Sequence, residues 1–425
     1  MSSQVSNPFF VAKRPWSRIK DRILSAYLAV YLPKVATLGK RILLVDGFAG
    51  PGTFADGSVG SPVLIVEAGE TRAPGKYHAI FVNKEADEHD ALTKLMAPYI
   101  DAGVVTTVPT KAAELLEQLA NVVKDQTLFL YLDPFGLAGC EWEVLVPFLQ
   151  RTAGSTEILI NIQRPEIPRL ACANAEARGD ITYQVDALQR RLTKVTGSNY
   201  WREVFAYPNL TTDEKVTLVV EDYRRRIARY LKFTASCPIR EREDGPIKYQ
   251  MILCSHVVDA LEVMNDAACR AYNQHMYEQR VKGTLFEPTN WEDERDLANL
   301  APEIGHVLRR VGPGSRRGLW REFIQEHFME YQSKEYRKVI AGMIADKVLD
   351  WVDVKGTKKL SDDAIVFLPD APPAIRVDKM IPHIPALKKP IRKKFSPGVG
   401  VSASQTTRVR RADDPPPSMS ARPTA

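Results

Sequence analysis

Residues 41–60, RILLVDGFAGPGTFADGSVG, decide the fold of this chain. The run from Ile42 to Val45 is continuously apolar, which is typical of a strand buried on both faces of a parallel sheet. Asp46 follows it, and glycines recur at positions 47, 50, 52, 57 and 60. Glycines permit positive φ and let a ligand lie against bare main chain. The stretch therefore predicts the first strand and the ligand loop of a nucleotide-binding α/β domain.

The glycine spacing separates this loop from two other nucleotide-binding loops. From Gly47 the pattern is G-x-x-G-x-G, whereas the dinucleotide fingerprint is G-x-G-x-x-G. No G-K-[ST] follows, so the loop is not a Walker A loop. A dinucleotide-dependent oxidoreductase is therefore the least favoured enzyme class, and an ordinary glycine-rich turn remains the structural alternative. Asp46 followed by FAGPG resembles motif I of class I S-adenosylmethionine-dependent methyltransferases.

Composition limits the class of protein. The 425 residues suffice for two or three domains, and 44% of them are apolar. We find no run of about 18 apolar residues and no leader-like N-terminus, so we expect no membrane span and no secretion. Five cysteines without a C-x-x-C pair argue against a disulfide framework or a cysteine zinc site. We expect a cytoplasmic protein with no metal site.

An amphipathic helix precedes the first strand. RPWSRIKDRILSAYLAVYLPKVATLG, from residue 14, carries apolar residues at helical spacing, and Pro33 predicts a break or kink. This helix is expected to pack on the sheet or cover the cofactor pocket. Packing alone explains the pattern, and a role for Lys20 or Arg22 is the less favoured interpretation.

A second strand carries the next candidate site residue. Ser61 to Ala68 predicts a helix with Ser61 as N-cap and Pro62 in its first position, and Tyr77 to Asn83 predicts a strand. Glu85 follows that strand. An acidic side chain there grips ribose hydroxyls in nucleotide-binding α/β folds, and a surface carboxylate is the alternative.

The remaining elements complete an α/β pattern. We expect helices over 87–99 and 110–123, and strands over 104–108, 128–133, 158–162 and 248–254. The polar residues of the fifth strand and its exit, Asn161, Gln163 and Arg164, are expected at the carboxyl edge of the sheet. Residues 171–246 are expected to form a largely helical insertion. Its helix over 216–233 bears arginines at 224, 225, 226 and 229, a basic face that is either solvated surface or a nucleic-acid contact.

The second chemical landmark is LFLYLDPFG, residues 128–136. An apolar strand again ends in a carboxylate, Asp133, and Pro134, Phe135 and Gly136 follow. Amino-methyltransferases of nucleic acids end their fourth strand in [DN]-P-P-[YF]. There the acidic or amide side chain and a proline carbonyl accept hydrogen bonds from the target amino group, and the aromatic ring stacks on the extruded base. DPFG lacks the second proline, and a simple chain turn is the alternative.

The later chain predicts a winged helix-turn-helix. Helical stretches over 318–331 and 333–348 precede a strand, a turn at residues 355–356 and a second strand over 364–368. A recognition helix in the major groove and a basic hairpin on the phosphates divide the work of DNA binding. The candidate nucleic-acid contacts are Lys334, Arg337 and Lys338 in the helix and Lys355, Lys358 and Lys359 in the wing. Docking of a protein is the alternative.

Both ends of the chain have a different character. Residues 1–14 are polar and expected to be flexible, and residues 371–425 are rich in proline, serine and arginine. This tail lacks periodic apolar residues, so we expect it to be disordered. Its cluster KKPIRKKF either grips phosphates or only aids solubility.

Four segments in this order resemble the three-Cys-motif partner protein (TcmP) family of bacteria. They are WSRIKDRILSAYL, VDGFAGPGTFADGSVGSP, YLDPFG and KYQMILCSH…DALEVMND, and the match covers roughly residues 15–370. The resemblance implies a methyltransferase-like domain, a following winged helix and a separate partner bearing a three-cysteine motif. It also implies that the cofactor contacts are Asp46, Gly47, Phe48, Gly50, Gly52 and Glu85 and that the catalytic edge is Asp133, Pro134, Phe135 and Gly136.

The predicted fold class is therefore α/β. A Rossmann-like class I methyltransferase sheet with a helical insertion would occupy residues 15–283, and a small winged helix-turn-helix domain residues 284–370. The predicted function is S-adenosylmethionine-dependent methylation of an amino group in a nucleic acid. The alternative is a catalytically silent DNA-binding or sensor subunit that keeps the fold.

Overall fold

A computed structural model describes residues 12–172, 182–281, 291–353, 356 and 359–371. Most of the predicted flexible N-terminus, almost all of the predicted tail and the two wing lysines Lys355 and Lys358 lie outside the described residues. Within the described part of the chain, no helix combines the length and the apolar character that crossing a membrane requires.

A seven-stranded sheet forms the centre of the fold, in the order β3-β2-β1-β4-β5-β7-β6. The strands are β1 (Ile42–Asp46), β2 (Tyr77–Val82), β3 (Val105–Val108), β4 (Thr127–Leu132), β5 (Thr156–Gln163), β6 (Phe233–Arg240) and β7 (Ile247–Ser255). Strands β1 to β5 are parallel, and β7 runs antiparallel to both of its neighbours. The strand order reverses between β1 and β4, where ligands bind in open α/β sheets. The fold is Rossmann-like.

Helices cover both faces of this sheet, which gives three layers. The helices are α1 (Pro15–Ala36), α2 (Ser61–Arg72), α3 (Ala86–Asp101), α4 (Ala112–Val122), α5 (Trp142–Leu149), α6 (Glu166–Leu170), α7 (Thr182–Thr196), α8 (Tyr200–Ala206), α9 (Thr212–Ile227) and α10 (Asp259–Val281). Residues of α1, α2, α3 and α10 share one buried cluster, and residues of α4 to α9 share another. Alternate residues of β4 feed the two clusters: Phe129 and Tyr131 the first, Leu128 and Leu130 the second.

The predicted insertion contains a strand that the sequence analysis did not assign. The basic helix α9 ends at Ile227 instead of continuing to residue 233, and Phe233–Arg240 forms β6 at the edge of the sheet. Pro238 lies within this strand. A proline cannot donate to a strand ladder and is confined to edge strands, which explains both its position here and the weak strand signal.

Two local predictions near the first strand need correction. The prediction at Pro33 was a break or a kink, and the break is wrong: helix α1 continues to Ala36, because a proline only three residues from the helix end removes little of the hydrogen-bond ladder. Ser61 is the first residue of α2 and Gly60 is its N-cap. The Ser61 hydroxyl instead donates to Asp46, at 2.6 Å.

Three further helices and a small sheet form a third buried cluster. The helices are α11 (Leu300–Val311), α12 (Arg316–Glu326) and α13 (Ser333–Ala345). The strands β8 (Gly314–Ser315), β9 (Asp350–Val352) and β10 (Ile365–Phe367) pair antiparallel in the order β8-β10-β9. Trp320, Phe323 and Tyr336 fill the space between α12 and α13.

Helix α10 ties this C-terminal cluster to the main sheet. The buried amide of Asn265 donates to the Tyr331 carbonyl at 2.8 Å and accepts from the Met329 amide at 2.8 Å. The Asp266 carboxylate receives the Ser333 amide at 2.8 Å. Because the same helix packs against α1 and β6, it contacts both parts of the chain.

Candidate functional site

The glycine loop leaves β1 at Asp46, whose carboxylate is fully buried. One oxygen accepts the Phe48 amide at 3.0 Å and the other accepts the Ser61 hydroxyl at 2.6 Å. Burial raises the pKa of Asp46 to about 7, and these two hydrogen bonds oppose the rise. Asp46 therefore fixes both ends of the loop, and its oxygens point into the protein instead of into an open cavity.

A cleft of about 1140 Å³ lies over the carboxyl ends of β1, β2 and β4. It is walled by the glycine loop, the exit of β2, the start of α4 and the loop that follows β4. Its lining includes Gly47, Phe48, Gly50, Asn83, Glu85, Lys111, Phe135, Gly139 and Glu141. A Cβ at Gly47 would lie 2.8 Å from the side chain of Leu132, so only glycine allows the loop to run this close to β4.

Four of the six predicted cofactor residues line this cleft: Gly47, Phe48, Gly50 and Glu85. The other two do not: Asp46 lies beneath the loop, and Gly52 faces a neighbouring compartment. Glu85 precedes α3 as its N-cap residue, and its side chain is 59% exposed beside the Lys84 ammonium. An exposed carboxylate on the cleft wall is free to turn toward a ligand hydroxyl.

A smaller compartment of about 60 Å³ adjoins the cleft at the tip of β4. The two cavities share the wall residues Phe48, Gly50, Pro51 and Phe135. Asp133 and Pro134 line the smaller compartment. We refer to it below as the acceptor compartment.

The carboxylate of Asp133 is paired inside this compartment. The Lys20 ammonium, on α1, donates to both of its oxygens, at 2.7 and 2.6 Å. The Lys20 nitrogen also lies 4.1 Å from the ring centre of Tyr249, on β7, which is a cation–π contact. The Lys20 side chain is only 4% exposed, whereas that of Asp133 is 24% exposed.

A second polar layer lies behind Asp133. The Tyr131 hydroxyl faces the carboxylate at 3.4 Å, and the amide of Asn161 donates to that hydroxyl at 3.0 Å. Burial raises the pKa of Tyr131 well above its usual range, so the phenol stays protonated. Tyr131 on β4, supported by Asn161 on β5, therefore contacts Asp133 from the interior of the sheet, and Lys20 contacts it from α1.

The outer wall of the acceptor compartment is formed by the chain before α1. The Lys13 ammonium pairs with the Asp21 carboxylate and donates to the Val59 carbonyl. Burial raises the pKa of Asp21 to about 6, and Lys13 opposes the rise. Lys13 thus closes the compartment on the side of the glycine loop.

The rest of the predicted catalytic edge surrounds the opening between the two cavities. Phe135 is 57% exposed and lines both of them. Gly136 has φ +81°, a conformation that favours glycine, and its amide donates to the Gln163 side chain at 2.8 Å. Arg164 instead binds Asp213 and lies away from the cleft.

Five of the eight predicted basic contacts that the structure describes are engaged within the protein. On α9, Arg224 and Arg225 pair with Glu221, and Arg226 pairs with Asp222. On α13, Lys334 pairs with Glu292 at 2.6 Å and Arg337 lies 3.6 Å from Asp362. Lys338 on the same helix and Lys359 beyond β9 are exposed.

Comparison with known proteins gives only distant likenesses. No protein-family model matches the sequence, and no curated protein does. An O-methyltransferase from Bacillus cereus, solved in complex with SAH, shares 12% identity over 54% of this chain and 80% of its own, at a TM-score of 0.29. A proposed rRNA-methylase from Clostridium thermocellum shares 7% identity over 53% of this chain and 92% of its own, at a TM-score of 0.29. A proposed methyltransferase from Escherichia coli shares 19% identity over 28% of this chain and 58% of its own, at a TM-score of 0.19. The Rossmann-like assignment rests on the strand order and not on these likenesses.

Sequence reasoning undervalued Lys20, the lysine that pairs with Asp133. Lys20 lies four residues after Trp16 and four before Leu24, on the helix stripe that is otherwise apolar. A charged residue in a buried stripe requires a partner, so its position was a usable signal. That the partner is Asp133, 113 residues away, required the three-dimensional structure.

Proposed function

We propose that this protein is an S-adenosylmethionine-dependent methyltransferase that acts on an amino group of a nucleic acid. The observation that carries the proposal is the junction of two cavities at the carboxyl edge of the sheet. A large cleft on the glycine loop opens beside a small polar compartment at Asp133, and Phe48 and Phe135 belong to both. A donor and an acceptor bound in these two spaces would meet at their shared wall.

The residues of the cleft fit this cofactor. Bare backbone at Gly47 and Gly50 offers a surface for the adenosyl part, and the exposed Glu85 carboxylate offers an acceptor for ribose hydroxyls. The volume of about 1140 Å³ is ample for a nucleotide-sized ligand. When bound, S-adenosylmethionine supplies a methyl group already activated on a sulfonium. The protein therefore needs no strong general base, only groups that position and desolvate the nucleophile.

The acceptor side provides those positioning groups. The Asp133 carboxylate and the Pro134 carbonyl can accept hydrogen bonds from an amino group, and Phe135 presents an exposed ring at the opening for stacking. Asp133 is held in place by Lys20 and Tyr131, so little reorganisation is needed when an acceptor arrives.

Calorimetric titration with S-adenosylmethionine and with S-adenosylhomocysteine tests the cofactor proposal. We expect binding to the wild type, a roughly tenfold weaker affinity for Glu85→Gln, and unchanged affinity for Glu67→Gln, an exposed control on α2. Transfer of a tritiated methyl group to nucleic acid then tests catalysis. Asp133→Ala removes both accepting oxygens and should lower the rate at least a hundredfold. Normal transfer by Asp133→Ala would refute the catalytic assignment.

A second function is favoured by the same ion pair. Because Lys20 already occupies both oxygens of Asp133 and the acceptor compartment holds only about 60 Å³, the site also suits a catalytically silent subunit that senses the cofactor. The two functions differ in one result. A sensor binds S-adenosylmethionine but transfers no label to DNA, RNA or a partner protein.

We further propose that residues 300–367 form a winged helix-turn-helix that contacts nucleic acid. The order of elements supports this proposal: α11, β8, α12 and α13 are followed by the β9–β10 hairpin, and β8 completes a three-stranded antiparallel sheet. In such a module α13 would enter the major groove and the hairpin would contact the backbone phosphates. The wing lysines Lys355 and Lys358, which lie outside the described residues, belong to this proposal through the sequence alone.

Membership of the three-Cys-motif partner protein family is a proposal that rests on the sequence segments quoted above. It implies a separate partner with a three-cysteine motif. Co-purification of the two proteins from a common host, tested with and without S-adenosylmethionine, would establish or refute that association. We also propose a reducing, cytoplasmic setting, which is supported by five buried cysteines that form no disulfide.

A further inference from the structure

We propose that Lys20 determines acceptor specificity: its ammonium, fixed between Asp133 and Tyr249, admits an uncharged amino group and rejects an alkylammonium. This inference rests on the proposed methyl transfer and names the residue that selects its acceptor. The carrying observation is the position of the Lys20 nitrogen, within 2.7 Å of both Asp133 oxygens in the acceptor compartment.

The first step concerns what Asp133 attracts. An isolated carboxylate beside an aromatic ring is a good site for a cationic amine. Here the protein's own lysine fills that role, because Lys20 pairs with the carboxylate and lies over the Tyr249 ring. The charge that would draw in an alkylammonium is therefore already neutralised. What remains for a ligand is hydrogen bonding to the carboxylate oxygens.

The second step concerns the net charge of the compartment. Its walls contain two lysines, Lys13 and Lys20, and two aspartates, Asp21 and Asp133. The two pairs are Lys13–Asp21 and Lys20–Asp133, so the compartment is neutral when all four groups are ionised. A cationic acceptor would add an uncompensated charge next to the buried Lys20. At about 4 Å and an intermediate dielectric, the repulsion from Lys20 alone corresponds to about a thousandfold in affinity, and the attraction from Asp133 offsets part of it.

The third step concerns size. A compartment of about 60 Å³ has room for an amino group and the atom that bears it, since a water molecule takes about 30 Å³ of liquid. The remainder of the acceptor must lie outside, at the exposed Phe135 ring. An amino group on a flat ring satisfies both conditions, because its nitrogen is uncharged at neutral pH and its ring can stack.

The chemistry of transfer agrees with this selection. Only a nitrogen with a free lone pair can attack the methyl group, and a protonated amine has none. The C–N bond forms as the C–S bond of the sulfonium breaks, S-adenosylhomocysteine leaves, and the methylated nitrogen releases its proton to solvent. A neighbouring cation lowers the pKa of an amine, which favours the uncharged form. Lys20 therefore acts as a positioning residue for the acceptor and the Asp133 carboxylate. It takes no part in the transfer of the methyl group itself.

The test compares two acceptors, a mixed-sequence single-stranded oligonucleotide and spermidine, with tritiated S-adenosylmethionine as donor. We expect the wild type to label the oligonucleotide at least a hundredfold faster than spermidine. Lys20→Met should lower that ratio at least tenfold, and Lys20→Arg, which keeps the charge, should keep it within about threefold. Lys40→Met serves as the matched control, because Lys40 also pairs with an aspartate, Asp125, but at the amino edge of the sheet.

The readout is a ratio, so a loss of folded protein alone does not move it. If Lys20→Met is unstable, Lys20→Gln removes the charge but keeps a polar group at this position, and it should show the same lowered ratio. An unchanged ratio in Lys20→Met, or a wild type that prefers spermidine, overturns the inference and leaves methyl transfer intact. A wild type that binds no S-adenosylmethionine in calorimetry, or that binds it but labels neither acceptor, overturns the proposed methyl transfer itself, and the inference falls with it.

Discussion

The hydroxyl of Ser61 donates a hydrogen bond of 2.6 Å to the carboxylate of Asp46, which joins the start of α2 to the end of β1. The other oxygen of Asp46 accepts the Phe48 amide, so one buried side chain fixes both ends of the glycine loop. The acid that the sequence marks as a ligand contact therefore works from beneath the loop. Its influence on a ligand is electrostatic and indirect.

This arrangement predicts a pH dependence of cofactor affinity. Burial raises the pKa of Asp46 to about 7, so the carboxyl gains its negative charge as the pH rises from 6 to 8. A cationic sulfonium nearby is bound more tightly by the ionised form. We expect the affinity for S-adenosylmethionine to rise by up to about tenfold over this range and the rise to disappear in Asp46→Asn, measured by calorimetry.

The amino group of the ligand titrates in the same pH range. The contribution of Asp46 is therefore measured as the difference between the pH dependence of the wild type and that of Asp46→Asn. Asp101→Asn changes an exposed aspartate at the end of α3 and should keep the wild-type pH dependence. If Asp46→Asn and the wild type show parallel pH curves, the charge of Asp46 does not reach the cofactor.

Two glycines of the loop should respond differently to the same substitution. Both Gly52 and Gly57 have positive φ, +86° and +80°, so alanine strains the backbone by about 1 kcal/mol at either position. At Gly52 the new Cβ would also lie 2.5 Å from the Leu95 side chain, whereas at Gly57 nothing lies within 4 Å. Gly52→Ala should therefore lower the free energy of unfolding by about 1–3 kcal/mol more than Gly57→Ala.

Chemical denaturation of the two variants measures that difference. Because Gly52 faces the acceptor compartment and Gly57 is exposed, methyl transfer should also fall in the first variant only. Equal losses of stability would show that Leu95 moves aside at no cost.

Sequence reasoning succeeded where a local pattern has a single physical meaning. Continuous apolar runs identified β1, β4 and β5, and the residues directly after them mark one edge of a parallel sheet. Strands β1 and β4 are direct neighbours, with Asp46 opposite Tyr131, so Asp133 lies just beyond the same end. The two aspartates share an edge because the strands that precede them are parallel, and the sequence pattern predicts that direction.

The same reasoning failed where a residue's role depends on a distant partner. Strand β6 was missed because its proline hides an edge strand, and the pairing of β6 with β7 is set by the whole sheet. A role for Lys20 was undervalued and that of Lys13 was missed, because a lysine near a helix start usually lies in solvent. Only the folded structure shows that Lys20 pairs with Asp133 and that Lys13 pairs with Asp21.

The proposed winged helix predicts a measurable dependence on salt. Lys338 is exposed on α13, whereas Lys334 is paired with Glu292 and Arg337 lies near Asp362. If α13 contacts DNA, Lys338→Gln should weaken binding to a mixed-sequence duplex and reduce the slope of log affinity against log salt by about 1. Fluorescence anisotropy over a salt series measures both quantities. The matched control is Lys94→Gln, an exposed lysine on α3; identical slopes for both variants would remove α13 from the interface.

A buried carboxylate at the opposite edge of the sheet couples α1 to β5 and β7. Glu157 accepts hydrogen bonds from the Tyr27 hydroxyl and, at 3.2 Å, from the Ser255 hydroxyl. Burial raises its pKa to about 7, well above the value of about 4.3 for an unfolded chain. The folded protein therefore holds a proton here that the unfolded chain releases between about pH 4 and 7.

The sign of the resulting effect on stability is fixed by that difference in bound protons. Stability that Glu157 provides in its protonated form is fully present below the unfolded pKa and is lost as the pH rises through about 7. Relative to Glu157→Gln, which does not titrate, the wild type should lose about 1–3 kcal/mol of unfolding free energy between pH 5 and pH 8. Denaturant unfolding at both pH values measures this difference, and Glu67→Gln, exposed on α2, should show none. A gap between wild type and Glu157→Gln that stays constant with pH would mean that Glu157 is ionised throughout, with Tyr27 and Ser255 compensating its buried charge.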